Sequence, residues 1–213
     1  MKYKSIKKLI DIASALFLLI IFSPVMIFTA IAIKLTSPGP ILADTPDRVG
    51  LNGKPFHLFK FRSMIVNAYY LLRTDPKFKK AFKEQQKGGN YKIKNDPRVT
   101  PVGRIIRKFS IDEMPQLVNV LRGEMSLVGP RPYYPDELKT QARKYPKTKK
   151  LVQETLSVKP GITGYWQVTG RSNVNFDKRI AIDAMYARNI SFMLDLEIIM
   201  RTPWAMLSGK GAV

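Results

Sequence analysis

From Ile12 to Ile33 the chain carries 22 residues without a charge. A bilayer core about 30 Å thick needs ~20 apolar residues as a straight helix, so the run is just long enough to span. Ser23 and Pro24 stand near its middle. Proline lacks an N–H and its ring crowds the carbonyl four residues back, which bends or breaks a helix. A neighbouring serine can satisfy part of the freed backbone, so the interruption is tolerable in lipid. Lys2, Lys4, Lys7 and Lys8 precede the run, and Lys34, Arg48, Lys54, Lys60 and Arg62 follow it. Positive charge on both sides favours keeping both ends in the cytoplasm. The expectation is a re-entrant hairpin broken at Ser23-Pro24. It is preferred over a signal anchor and over a cleaved signal peptide, for which Ala30-Ile31-Ala32 has suitable spacing but the apolar run is long. Asp11, at the lip of the segment, is expected to pair with a nearby lysine.

The 213 residues leave room for one compact domain after this segment. Net charge is +20; five Lys and one Asp lie in the first 34 residues, so the downstream part holds 31 basic and 15 acidic groups. Such a field attracts polyanions, whether nucleic acid, lipid headgroups or phosphorylated small molecules. A membrane segment beside the charge favours lipid phosphate. With no cysteine and one histidine, His57, a Cys/His zinc site and a disulfide framework are excluded. His57 lies in an alternating run from Phe56 to Phe61 and reads as a strand residue rather than a base.

Ser37-Pro38-Gly39-Pro40 closes the membrane segment as a turn, and Asn52-Gly53 is a hairpin signal. Residues 73–108 hold twelve basic and three acidic residues around Gly88-Gly89-Asn90, read as a solvated face or as a surface toward anionic lipid. Residues 136–145, 177–189 and 192–207 read as helices. In the last, Phe192, Met193, Leu196, Ile199, Met200 and Trp204 recur at helical spacing, favouring core and leaving the membrane interface open.

Ser110-Ile111-Asp112-Glu113-Met114-Pro115-Gln116-Leu117 places two acids in a basic neighbourhood that includes Lys94, Arg98, Arg104, Arg107 and Lys108. Ser110 and Glu113 have capping-box spacing. Pro115 fits better as the first residue of a helix running to Arg122 and stopped by Gly123. Acids amid arginines at a helix start suit metal-assisted phosphate chemistry: a carboxylate holds Mg²⁺ or attacks phosphorus while guanidinium groups neutralise phosphate oxygens. Gly129-Pro130-Arg131-Pro132 holds an arginine between two residues of fixed φ, read as a phosphate grip or an ordinary turn. Pro160-Gly161-Ile162-Thr163-Gly164 and Tyr165 to Arg171 form a glycine-punctuated strand, equally a buried strand with a turn or a nucleotide site.

Together these pieces resemble the bacterial sugar transferases, the monotopic phosphoglycosyl transferases that begin capsule, O-antigen and exopolysaccharide assembly. The resemblance runs through Lys7-Lys8-Leu9-Ile10-Asp11, Ser23-Pro24, Phe59-Lys60-Phe61-Arg62-Ser63-Met64, Lys94-Asn95-Asp96-Pro97-Arg98, Asp112-Glu113-Met114-Pro115-Gln116, Gly129-Pro130-Arg131-Pro132, Pro160-Gly161-Ile162-Thr163-Gly164 and Gly170-Arg171. Met114 stands where the family more often has Leu. The insert between Met64 and Lys94 and the Trp166-Gln167-Val168 run look more like undecaprenyl-phosphate galactose or glucose phosphotransferases than the smallest members. Larger members add a four-helix membrane region and a further domain, so this chain looks like the catalytic module alone.

The resemblance implies an α+β, mainly helical fold: a re-entrant membrane helix-hairpin over 1–36, and a small cytoplasmic catalytic domain over 37–213 with interfacial amphipathic helices. It implies transfer of a hexose 1-phosphate from a UDP-sugar to undecaprenyl phosphate with release of UMP, on the cytoplasmic face of the bacterial inner membrane. Asp112 would be the nucleophile and touch Mg²⁺; Glu113 would support metal or proton handling. Lys60, Arg62, Arg107 and Arg131 would contact phosphate, and Arg171 and Asp183 would belong to the nucleotide-sugar pocket. Expected partners include anionic lipids, with a homodimer and downstream glycosyltransferases left open and no nucleic acid. The competing classes are a membrane-tethered nucleic-acid binder, an export-complex adaptor and a Mg²⁺ lipid-phosphate phosphohydrolase.

Overall fold

A computed structural model describes residues 2–87, 93, 95–169 and 175–207. Most of the described residues are helical. Helix α1 (Lys2–Thr36) comes first, and a small antiparallel pair follows, β1 (Arg48–Val49) with β2 (Pro55–Phe56). Asn52 and Gly53 turn this hairpin with φ of 55° and 80°, as the Asn-Gly pair predicts. Then come α2 (Ala68–Thr74), α3 (Lys79–Lys87), α4 (Pro101–Lys108) and α5 (Gln116–Leu121). Strand β3 (Ser126–Val128) pairs in parallel with β4 (Gly161–Thr163), and α6 (Pro135–Lys144) and α7 (Lys149–Leu156) form the crossover between them. The chain closes with α8 (Tyr165–Thr169), α9 (Phe176–Arg188) and α10 (Phe192–Leu207).

The expected hairpin over 1–36 is a single helix that continues through Pro24. Pro24 leaves the carbonyl of Ile20 without its usual donor, and the Ser23 hydroxyl donates to that carbonyl at 2.8 Å. The backbone group that would have forced a break is thereby satisfied. Both ends of α1 lie against the domain. Near the start, Lys7 pairs with Asp195 of α10 at 2.6 Å and with Asp11 at 3.6 Å, and Asp11 accepts from Ser126 Oγ at 2.7 Å. Ala15 then packs with Leu117, Val120 and Met125, while near the far end Ile33 packs with Phe61 and Ile106. Between these contacts Ile20, Ile21, Ser23, Pro24 and Val25 are exposed. Among the described residues one helix, α1, is long and apolar enough to cross a membrane.

Helix α10 has the expected bounds, but its apolar stripe is not core. Phe192, Met193, Leu196, Ile199, Met200 and Trp204 are all exposed, and the helix buries Asp195 and Ile198 instead. Asp195 is buried because it accepts hydrogen bonds from Tyr3 Oη (2.7 Å) and Tyr186 Oη (2.6 Å) besides its lysine.

The β3–β4 pair explains the glycines of two motifs. Gly129 N donates to Thr163 O (2.9 Å) and Gly161 N to Pro130 O (2.8 Å), so the two loops cross backbone on backbone. A Cβ on Gly161 would stand 2.1 Å from Gly129 N, and one on Gly164 would stand 2.2 Å from Gly129 O. The expected strand stops at Thr163: residues 165–169 are helical, with Gln167 N bonded to Gly164 O. Arg171, Lys94 and Gly88-Gly89-Asn90 lie outside the described residues.

Candidate active site

Asp112 sits in a single helical turn, Ile111–Glu113, between α4 and α5. The capping box that the Ser110 and Glu113 spacing allows does not form. Ser110 adopts a left-handed conformation (φ 55°) with no side-chain cap, and Pro115 starts α5 as its N-cap, with Gly123 (φ 74°) just past the end. An extended segment runs beside the turn, where Phe61 N donates to Asp112 O at 3.0 Å and Arg62 N to Ile41 O at 2.8 Å. This register presents the neighbouring Lys60 to the acids: Nζ lies 2.9 Å from Asp112 Oδ2 and 3.3 Å from Glu113 Oε1. Helix α4, which carries Arg107, is seated by its cap, with Gly103 N bonded to Thr100 Oγ1 and Thr100 N bonded to Ser63 O.

Asp112 is 2 % exposed, so its charge depends on its neighbours. Burial pushes its carboxyl above the ordinary range, Lys60 and Arg107 pull it back, and Glu113 adds to the rise. Burial and Arg107 disfavour the charge on Lys60, but Asp112 and Glu113 outweigh them and move its pKa above the ordinary lysine value.

The group opens on a cavity of about 310 Å³ whose walls include Lys60, Arg107, Asp112, Glu113 and Arg131. With Arg62, six of the residues expected at the site therefore line one space. Arg131 arrives from the β3 side, with its guanidinium 5.3 Å from the Trp166 ring and its backbone N–H donating to Asp183 at 3.3 Å.

Two of the expected residues are taken up by other partners. Arg62 reaches the cavity wall, but its guanidinium is bonded to Pro40 O (2.5 Å), Ser37 Oγ (2.6 Å) and Ser37 O (2.9 Å). It fastens the turn after α1 rather than offering a free fork. Asp183 does not line the cavity; it is buried behind it, where its Oδ2 accepts from Tyr133 Oη at 2.8 Å and from Arg131 N. Burial pushes its carboxyl up to about 7, with the Tyr133 and Arg131 hydrogen bonds pulling the other way. Asp183 thus sets the backbone that carries Arg131. Of the other basic residues near the acids in sequence, Arg98 is buried in a pair with Asp96, while Arg104 and Lys108 are exposed and lie off the cavity.

The cavity also takes in residues that spacing did not single out: Arg48, Tyr69, Arg73 and Tyr134. Arg73 stacks on Tyr69 (3.7 Å), Tyr69 lies 5.9 Å from Tyr134, and Arg48 lies 3.2 Å over Tyr134. These come from three separate stretches of chain. Tyr133-Tyr134 directly after Gly-Pro-Arg-Pro is the nearest thing to a signal in the sequence.

Among curated proteins, the chain is 41% identical over 211 residues to the undecaprenyl-phosphate galactose phosphotransferase of Salmonella typhimurium, covering 97% of this chain and 41% of that protein. It is 38% identical over 213 residues to the UDP-N-acetylgalactosamine-undecaprenyl-phosphate N-acetylgalactosaminephosphotransferase of Aeromonas hydrophila (99% and 45%). It is 37% identical over 206 residues to the exopolysaccharide production protein ExoY of Sinorhizobium fredii (97% and 87%). The chain spans about two fifths of the length of the Salmonella protein and of relatives in Haemophilus influenzae and Erwinia amylovora. The family model described as bacterial sugar transferase matches residues 2–209, and the chain belongs to that family.

Proposed function

We propose that this protein transfers a sugar 1-phosphate from a UDP-sugar to undecaprenyl phosphate, releasing UMP, by way of a covalent phospho-sugar on Asp112. The observation that carries the reading is a buried carboxyl group with Lys60 Nζ 2.9 Å away, on the wall of a cavity that also holds Arg107 and Arg131. The names of the Salmonella and Aeromonas relatives supply the substrate class. A hexose, galactose or glucose, is the preferred sugar.

In the first step an oxygen of Asp112 attacks the β-phosphorus. The bond to the bridging oxygen breaks, and its electron pair leaves with UMP. In the second step an oxygen of undecaprenyl phosphate attacks the same phosphorus and displaces the Asp112 carboxylate. Both nucleophiles and both leaving groups are anions, so neither step needs a proton moved. Splitting the exchange means that two bulky anions need not be held together. Lys60, Arg107 and Arg131 neutralise charge gathering on the transferring oxygens.

Mg²⁺ fits as a partner of the donor rather than as a resident. The described residues hold no group of three potential ligands, while one or two carboxylates plus substrate phosphates suffice for this ion. Asp112 and Glu113 would hold it, and bound there it would neutralise donor phosphate oxygens.

The membrane placement that this reading needs is one-sided. A helix leaving on the far side would carry Tyr3, Lys7 and Asp11 away from Asp195 and Ser126, which they contact. The reading accordingly puts both ends of α1 on the cytoplasmic side, with its exposed middle in lipid. The apolar face of α10, together with exposed Ile105 and Phe109 of and after α4, lies in the interface, where Arg104 and Lys108 meet anionic headgroups.

UMP release from a panel of UDP-sugars, in nanodiscs with Mg²⁺ and undecaprenyl phosphate, tests the activity. Release that requires the lipid and disappears in Asp112→Asn is expected. In the absence of lipid, label from a β-³²P UDP-sugar should remain on denatured wild type and not on Asp112→Asn. Silence across the panel from a folded, membrane-inserted protein overturns the reading.

A further inference from the structure

We propose that Arg48 is a second guanidinium arm, beside Arg131, for the diphosphate of the donor. The inference rests on the transferase reading and adds to it a residue whose role neither the motifs nor the resemblance suggested. Arg48 lies on β1 and is only 8 % exposed, yet it lines the same cavity as Asp112. One face of its guanidinium is covered by the Tyr134 ring, which the Tyr69–Arg73 stack backs in turn. Its Nη1 donates to Pro132 O at 3.2 Å. The group is thus held still while its Nε is buried with no acceptor among the described residues.

Arg131, the residue just before the carbonyl that Arg48 holds, repeats the pattern. Its Nε is also buried without an acceptor, and its guanidinium lies by Trp166. Two buried acids stand on this side: Glu137 is paired with Arg179 at 2.7 Å and Asp183 accepts from Arg131 N at 3.3 Å, and neither is hydrogen-bonded to the Nε of Arg48 or Arg131. Burial disfavours the charge on Arg48, and Arg131 is close enough to disfavour it further, while Tyr134, Glu137 and Glu113 pull the other way without cancelling the burial. Two neighbouring cations with unanswered buried donors are complementary to an anion with several adjacent oxygens. A planar guanidinium fixed in advance grips such oxygens with little loss of freedom. The diphosphate of a nucleotide sugar has that form, and Arg48 supplies the arm that Arg62, bound to Ser37 and Pro40, does not.

The test compares wild type, Arg48→Lys and Arg48→Met as full chains in nanodiscs. Calorimetry measures binding of UDP, UMP and inorganic pyrophosphate, and turnover measures KM for the accepted UDP-sugar. Both substitutions should weaken UDP and pyrophosphate by about 10–100-fold, the scale of lost charge-assisted hydrogen bonds. UMP should weaken less, and KM should rise more than kcat falls. Arg48→Lys keeps charge and stem and loses the fork, so it carries the result if Arg48→Met folds poorly. Wild-type-like binding of UDP and pyrophosphate by folded Arg48→Lys overturns the role of Arg48 and leaves the transferase reading standing. Failure of wild type to bind UDP or pyrophosphate overturns both.

Discussion

Replacing Lys60 by methionine keeps most of the side-chain volume and removes the charge 2.9 Å from Asp112. At that distance, with the effective dielectric of about 20 that suits such sites, the attraction is roughly 5–6 kcal/mol before desolvation. The Lys60 side chain is 25% exposed, which discounts this figure, and removing one partner of a buried pair typically costs about 3–5 kcal/mol. We expect the lower end, because Asp112 has an escape: it can take up a proton. Its folded-state pKa is already raised and rises further without Lys60. A carboxyl raised above its unfolded value contributes stability that is lost as pH rises through the folded value, so Lys60→Met should lose stability toward alkaline pH more steeply than wild type. Catalysis moves with the same proton. Attack needs the carboxylate, so the acidic limb of kcat/KM should shift to higher pH, on top of a neutral-pH loss of about 10²–10³-fold from the missing phosphate contact. UMP-release profiles over pH, with melting curves in the same buffers, provide the assay, and Lys60→Arg should retain the wild-type limb. A Lys60→Met enzyme that is slower at every pH by one factor, with its acidic limb unmoved, would refute the claim that Lys60 tunes Asp112.

Asp183, pushed up to about 7 by burial, binds its proton more tightly in the fold than in the unfolded chain, so its contribution is full below about pH 4 and lost as pH rises through 7. Asp183→Asn retains one oxygen for both the Tyr133 and Arg131 donors and should flatten the dependence of Tm on pH over that window with activity kept; a wild-type slope in this variant contradicts the assignment. Gly161→Ala drives a methyl to 2.1 Å from Gly129 N and 2.4 Å from Thr163 O, backbone atoms that cannot swing aside, so urea unfolding should show a loss of about 3 kcal/mol, and an unshifted midpoint would count against the crossed loops. Because the chain has no cysteine, Lys8→Cys and Lys34→Cys can be labelled singly: reaction of both from the cytoplasmic side is expected, and reaction from opposite sides defeats the one-sided membrane placement. Pro24→Ala, which restores the donor that the Ile20 carbonyl lacks, should lower turnover more than folded yield; unchanged turnover removes proline from the account.

What could be read from the chain by itself was what repeats or stays local. The helices at 136–145, 177–189 and 192–207 follow from a 3.6-residue apolar period, and the hairpin at Asn52-Gly53 follows from backbone freedom within two residues. Asp112 and Glu113 stood out as acids in a basic field, and the structure brings Lys60, Arg107 and Arg131 to the same cavity.

Tertiary structure decided everything that depended on a distant partner. Tyr165 to Thr169 has the composition of a strand and coils into a helix between β4 and α9. The stripe on α10 has core spacing and faces outward, because Asp195 on the opposite side is matched by Tyr3, Lys7 and Tyr186. Arg62 and Arg48 are both arginines beside short extended segments. One is occupied by a turn some 22 to 25 residues away and the other is left with an open donor, which separates a fastener from a candidate ligand grip. Periodicity and turn chemistry act over a few residues and are written into the order of the chain; hydrogen-bond satisfaction of a buried charge is settled by whichever groups folding brings near, and only the folded molecule contains that information.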